Sequence, residues 1–590
     1  MKKWLIKSLT AAIILGVTVS MAACTKPGGN SSSSSGSGSS ASGSGNNPYK
    51  DTVTLDVYTL TGNFQGEQIG WFGKVLKDKF NLKLNIISAQ TDGNSDQSFQ
   101  TRSASGDLGD IVVYGAMDTK FTDSLKAGLL MKLSDNDLLA KHGSNIVKNF
   151  SGAIKRVSDK YGDYAIPNNV STESPNTPSE DSDLTFGVYT RYDYYQEIGS
   201  PKLNTFDDVY PMLKAMAQKH PTNSNGQKQY AFSLFKDWDG CMMMFGKMIA
   251  ELYGYEEAPF GGFLLTNNMA TEYQSIIDPN GYYVKALKVY NQAYRDGLLD
   301  PDSINQTWDD ITKKYSNGQV LYSQFSWLGP NNFNNAENIS KGTGFALVPI
   351  ADEKIWSNGF TPNGSTYLVA LGKSCKNPER AMDFLNWYYS PEGEMVIKNG
   401  PEGLAWKMEN GKPTLTDFGR KCMPSIAVEV SSEFGGSDWQ TGECKVGFDG
   451  LAANAINPNT KEPYYYKLWS STLSSNTSAL QKNWSAAVDG ALSPKDWLVK
   501  NNHVSVSPGT DYVAPILPSD IQSTQDVVKM DIRDYSWKMV YAKSDSEFNS
   551  LLKQMTEKVK GEGFDTVVEW DKQQLAELSA ARKQAAESGK

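Results

Sequence analysis

Histidine and cysteine are scarce in this chain, which has three and five of them in 590 residues. His142, His220 and His503 are far apart in sequence, so each reads as a surface or packed residue rather than a catalyst. There is no Cys-x-x-Cys pair, and the zinc and thioredoxin readings therefore have no support. A Gly-x-Ser-x-Gly elbow and a His-Glu-x-x-His motif are missing as well. Glycoside hydrolysis needs two flanking carboxylates, but among 66 acidic residues no pair is singled out. No enzymatic activity is expected. Basic charge is also short, 57 Lys and Arg giving a formal net charge of −9. Phosphate backbones are bound through Lys/Arg surfaces, so nucleic acid is not an expected partner.

Long apolar runs are absent beyond the N-terminus. Lys2, Lys3 and Lys7 precede a short apolar stretch, Leu9 to Val19, which ends in Met21-Ala22-Ala23-Cys24. The run is too short for a comfortable span, and its flanks fit a cleaved signal over 1–23. The junction resembles a bacterial lipoprotein leader, in which the cysteine becomes the lipidated first residue. Several acyl chains on Cys24 would anchor the protein stably to a membrane. The segment behind it, 24–50, is nearly all Ser, Gly and Asn from Gly28 to Asn47 and reads as a flexible tether. Of the remaining cysteines, Cys241, Cys375, Cys422 and Cys444, three pairings are open; Cys422 with Cys444 is the least strained.

Beyond the tether the chain is rich in periodic segments. Thr52 to Tyr58 alternates as a strand, Gln68 to Phe80 is helix-like, and Leu82 to Ile87 is a second strand. Phe99 to Ala104 reads as helix and Asp110 to Tyr114 as a third strand. Strand, helix, strand, helix, strand signals a largely parallel sheet. Amphipathic helices are expected over 206–219, 283–296 and 378–389, the last with proline in its first turn. Two charged helices split by Gly561-Glu562-Gly563 close the chain.

In order along the chain come Ser105-Gly106-Asp107-Leu108-Gly109-Asp110-Ile111, Gly128-Leu129-Leu130, Tyr161-Gly162-Asp163-Tyr164-Ala165-Ile166-Pro167 and Tyr189-Thr190-Arg191-Tyr192-Asp193. Further on are Ala346-Leu347-Val348-Pro349, Lys376-Asn377-Pro378-Glu379 with Phe384-Leu385-Asn386-Trp387, and Gly400-Pro401-Glu402-Gly403-Leu404-Ala405-Trp406. Together they resemble the extracellular solute-binding lipoproteins of ABC importers, in the long branch associated with oligosaccharide uptake. Gly109 stands where that family usually has proline.

The resemblance implies an α/β, two-lobed periplasmic-binding-protein-like fold with a crossover hinge and a ligand cleft. The first lobe is expected over 51–165 plus 350–400, and the second over 168–345 plus 401–590. It implies a carbohydrate ligand, permease subunits as partners, a monomer, and an extracytoplasmic membrane location through the lipid. Peptides or another solute are the alternative ligands, and a surface sensor or glycan-active enzyme a further one. Neither cofactor nor metal is expected. Relatives can carry a calcium loop near His220 to Tyr230, but this stretch holds no carboxylate, and calcium wants hard anionic oxygens. Asp92 to Asp96 lacks a downstream glutamate and reads as a polar loop.

Sugar pockets pair aromatic platforms with amide and carboxylate groups. The candidates are Trp327, Trp406, Trp238 and Trp439, with Glu402, Asp110, Asn168 and Arg191 as polar contacts. Trp387, on the inner face of its helix, is expected in the core. The leader makes one expectation testable at once: Cys24→Ala loses acyl labelling and leaves the membrane fraction, whereas continued membrane association would rule out this anchor.

Overall fold

The first alternating segment folds as strand β1 (Val53–Thr59). It buries Leu55 and Val57 in one core and Tyr58 in another, the two-sided burial of a central parallel strand. Strand β2 (Gly66–Glu67), helix α1 (Gly70–Phe80), strand β3 (Leu82–Ser88), helix α2 (Ser95–Ser105) and strand β4 (Ile111–Tyr114) come next. Strands β3 and β4 flank β1, both parallel to it. The chain thus steps first to one side of β1 and then to the other. Helix α3 (Ser144–Tyr161) leads into β5 (Ala165–Pro167), at the edge of the sheet.

The chain then enters a second sheet through β6 (Phe186–Arg191). Helices α4 (Val209–Lys219), α5 (Tyr282–Arg295) and α6 (Trp308–Ser316) precede strands β7 (Tyr322–Phe325) and β8 (Phe345–Leu347). These make an antiparallel sheet in the order β7-β6-β8. Strand β9 (Ile355–Asn358) comes before β10 (Leu368–Leu371), which returns to the first sheet between β4 and β5. Helices α7 (Pro378–Tyr388) and α8 (Pro391–Asn399) are next, each with proline in its first turn. Strand β11 (Val504–Ser507) pairs with β9. Helices α9 (Ser519–Val540), α10 (Asp545–Gly561) and α11 (Phe564–Ser588) end the chain.

This computed structural model describes residues 48–89, 95–115, 119–258, 262–423, 428–515 and 517–589. Cys24, the leader and nearly all of the tether lie outside the described residues, as do 90–94 of the Asp92 loop. No helix among the described residues is long and apolar enough to cross a membrane.

Two large cores form, one around the first sheet and one around the second. Trp387 is buried in the first, packed near Phe72 and Phe80. The packing does not divide at residue 400, where the family pattern puts a lobe boundary. Leu404, Trp406, Cys422, Trp439, Val446, Leu451, Tyr464 and Trp469 all join the first core, and Ile355 and Trp356 join the second. The reason is local: 401–469 folds as a small hairpin (Trp406–Glu409 with Lys412–Leu415), short turns and small helices that cannot bury their own aromatics, so they close over α1 and α7. Trp439, for instance, stacks on Trp71 of α1 at 5.1 Å.

The cysteine pairing is also corrected. Cys375, Cys422 and Cys444 form no disulfide, so Cys422 and Cys444 are not a pair. Cys422 faces the Gly419 carbonyl, while Cys444 lies 3.5 Å from the Tyr388 hydroxyl. In the loop over 220–230, the Asn223 side-chain oxygen accepts from the Asn225 and Gln227 amides and its Nδ2 donates to the Asn317 carbonyl, making an amide-held turn.

Between β8 and β9 sits Glu353, 1% exposed, with no hydrogen bond to either carboxylate oxygen. Burial pushes its carboxyl up to about 8, with Asp352 adding repulsion. A raised acid is held neutral in the fold while the unfolded chain ionises, so its contribution to stability is lost as pH rises from the ordinary Glu range through about 8. Glu353→Gln mimics the neutral acid. Its melting temperature should match the parent near pH 5 and exceed it near pH 8.5; equal curves at both would exclude Glu353 as a source of alkaline destabilisation.

Candidate functional site

In an open α/β sheet, ligands favour the carboxyl ends of strands where the strand order reverses. Here that place lies between β1 and β4. At the end of β1, Thr59 Oγ1 accepts from the Thr61 and Gly62 amides at 3.3 and 2.9 Å, turning the chain sharply. Ser88, ending β3, donates to the Gly62 carbonyl at 2.5 Å. Thr61 donates to the Gly447 carbonyl at 2.7 Å, laying the 441–449 segment across the sheet's edge. Gly447 has φ +88°, and a Cβ there would come within 2.9 Å of Thr59 Oγ1. Only glycine allows that approach.

This segment forms one wall of a cavity of about 620 Å³. Trp71, Trp439, Tyr388, Phe448, Tyr465 and Tyr466 give it an aromatic lining, and Asp181, Lys398, Glu443 and Asp449 a polar one. Lys398 pairs with Asp449 at 2.7 Å. Behind them Glu394 is fully buried, and burial with the Asp449 charge pushes its carboxyl up to about 8.

Asp181 belongs to the segment that enters the second sheet, and this segment leads to an aromatic cluster. Asn454 Nδ2 donates to the Ser179 carbonyl at 2.9 Å, and the Ser326 amide to the Thr185 carbonyl at 3.0 Å. Trp327 is the next residue. It stacks on Phe325 at 4.4 Å and sits 5.7 Å from Trp238 and 5.8 Å from Trp308. Trp238 and Trp308 stack at 4.8 Å, with Phe235 edge-on to both. Trp308 opens α6, where Thr307 and Asp310 form a capping box and the Trp308 amide donates to Asp237 at 3.2 Å. Trp238 is 49% exposed, so this stack carries an open aromatic face.

Of the residues expected from sequence, Trp238 and Trp327 come together in this cluster, and Trp439 lines the cavity although its ring is 3% exposed. The others lie elsewhere. Trp406 is 6% exposed, donates from its indole to the Gly400 carbonyl at 2.8 Å, and packs against Trp469 in the first core. Glu402, just before the Trp406 hairpin, is exposed and accepts from the Met408 amide. Asp110 precedes β4, so it marks the amino edge of the sheet, where it accepts from the Asp56 amide at 2.8 Å. Asn168 is buried at the crossing, accepting from the Tyr389 hydroxyl at 2.8 Å. Arg191 ends β6, at the opposite end of that strand from Thr185. There it is clamped by Asp193 between the Tyr194 and Phe333 rings. Trp308 was not anticipated; the Thr-Trp-Asp-Asp start of a helix was its only local signal.

The profile of the family described as bacterial extracellular solute-binding protein matches residues 74–396. The chain is 22% identical over 449 residues to Lipoprotein LipO of Bacillus subtilis (strain 168), covering 72% of this chain and 77% of that protein. Among solved structures it is similar to the alginate-binding protein AlgQ2 without calcium ion, with TM-score 0.55, 16% identity, and 89% of this chain and 98% of that one covered. It is also similar to the S. pneumoniae ABC-transporter substrate-binding protein FusA in complex with kestose, with TM-score 0.56, 14% identity, and 90% and 100% covered. The fold is thus the two-lobed α/β architecture of solute-binding proteins.

The two roles of tryptophan separate experimentally. Trp406→Ala should cost about 3–5 kcal/mol of unfolding free energy by urea titration, the range for a core tryptophan; a loss under about 1 kcal/mol would mean the ring is not part of the core.

Proposed function

As the chain belongs to the bacterial extracellular solute-binding protein family, we propose that it is the solute-capturing component of an ABC importer and that its solute is a carbohydrate, an oligosaccharide in length. The observation that carries this reading is the Trp238–Trp308 stack with Trp327 tilted against it, Trp238 half in water, beside the segment that leads to the aromatic-lined cavity. An open tryptophan face in water is costly unless something covers it, and the C–H face of a pyranose ring has the matching shape and polarity. The cavity volume falls within the range of small-molecule sites, and its carboxylates, lysine and tyrosines supply partners for hydroxyls. That FusA was solved with kestose and AlgQ2 is named for alginate supports a saccharide over a peptide.

In this reading the protein acts as a monomer, held on the extracytoplasmic face by lipid on Cys24. The lobes close on the sugar by a hinge at the crossings, and the closed form is presented to permease subunits. Binding is the whole chemistry.

Purified protein is screened by thermal shift against saccharide and peptide panels, because a ligand bound only by the folded form raises the midpoint. A saccharide is expected to stabilise. Stacking contributes about 0.5–1.5 kcal/mol beyond burial, so Trp308→Ala and Trp327→Ala should each weaken its binding about ten-fold. Stabilisation by peptides alone, or unchanged sugar affinity in both variants, would overturn the assignment.

A further inference from the structure

A second cavity, of about 540 Å³, shares Asp449, Ala453 and Asn454 with the aromatic-lined one. Its walls come from the crossing segments, including Asn169, Asn358 and Thr361, from the stretch after β11, including Thr510, and from α11. They mix amides and hydroxyls with apolar groups such as Phe360 and Leu578, and carry one cation. Arg582, on α11, is only 6% exposed. It makes one hydrogen bond among the described residues, Nη1 to the Asn267 carbonyl at 3.1 Å, and no ion pair.

That is an unusual way to bury a guanidinium. It carries five N–H donors and a full charge, and buried charges are normally paired. Asp571 lies on the same helix, but about three turns away, and its carboxylate accepts from the Phe263 amide at 3.0 Å. Asp449 lines the cavity too, yet it is paired with Lys398. Burial alone draws the guanidinium down to about 10, with no opposing charge raising it again. The fold therefore holds a dehydrated cation against the cavity without supplying its anion.

We infer that the Arg582 cavity is a subsite for the carboxylate of an acidic sugar, so that the bound saccharide contains a uronic acid residue. The planar guanidinium fork suits a carboxylate held by two parallel hydrogen bonds. The amide and hydroxyl groups of the walls suit the remaining hydroxyls of the ring. The shared wall at Asp449 to Asn454 makes this subsite contiguous with the aromatic-lined cavity, where neighbouring rings of the same chain lie. This inference rests on the carbohydrate reading of that cavity.

The test is calorimetric titration of the full mature chain with uronic acid trisaccharides, their methyl esters and neutral trisaccharides. It is repeated with Arg582→Gln and Arg582→Met, and ligand-free melting is recorded for each. The parent should bind an acidic trisaccharide at least about ten-fold more tightly than its methyl ester, as expected for a charge-assisted pair. Both variants should lose that preference while melting, without ligand, at or above the parent temperature, since an unpaired buried charge has been removed. Equal affinity for acid and ester, or a preference that survives in both variants, overturns the subsite and leaves the carbohydrate reading standing. So does binding confined to neutral trisaccharides. A panel with no binder overturns both readings. Variants that melt several degrees lower would make Arg582 a structural residue and overturn its assignment to ligand.

Discussion

A short run of backbone pairing fastens the chain leaving the first sheet to the segment that covers the first core. The Asn169 amide donates to the Asp449 carbonyl, the Val170 amide to that of Gly450, and the Ala452 amide back to that of Val170. Residues 168–170 have just left the first sheet, and 449–452 belong to the segment that covers it. Buried backbone groups must be paired, and here the crossing and the covering segment satisfy each other. The Tyr389 hydroxyl adds a hydrogen bond to Asn168 from the end of α7. Both cavities open from this seam and share Asp449 and its neighbours. A displacement of the seam would reshape both.

The candidate site draws on both cores. The first supplies a fixed edge: strand ends turned by Thr59, a glycine close against them, and two stacked tryptophans beneath. The second supplies the aromatic surface, with Trp308 positioned by a helix start and Trp327 by the end of β7. Polar groups gather at the border, where Lys398, Asp449 and Asp181 meet solvent. Rigid walls with a polar rim are what a binding protein needs to recognise a polar solute by shape.

Periodicity carried most of the fold into the sequence. The two-sided burial of β1, the helices over 70–80 and 378–388, and the break before Phe564 all come from local pattern and from proline and glycine placement. The site was less legible because its residues meet across long separations. Trp238 and Trp327 looked no different in sequence from Trp406, which the core absorbs, since a glycine-rich context accompanies both an open loop and a tight hairpin. Asp110 stands at the amino end of β4, away from the carboxyl ends where ligands gather, and a strand pattern alone does not tell the two ends apart in function. The 401–469 segment has no strong period, so its allegiance to the first core is set by long-range aromatic packing that no local pattern records.

The thiols of Cys375, Cys422 and Cys444, none in a disulfide, have a consequence for durability. Burial pushes Cys241, Cys375 and Cys422 up to about 12 and Cys444 up to about 11, so almost no thiolate exists near neutral pH. Thiolate is the species that oxidises and exchanges. The fold itself is therefore the antioxidant, and it protects only while intact. Once opened in an oxidising medium, the chain presents these as ordinary thiols able to crosslink, and unfolding becomes a one-way exit. The lifetime of such a protein outside the cell is then governed by how rarely it opens, rather than by how strongly equilibrium favours its closed form.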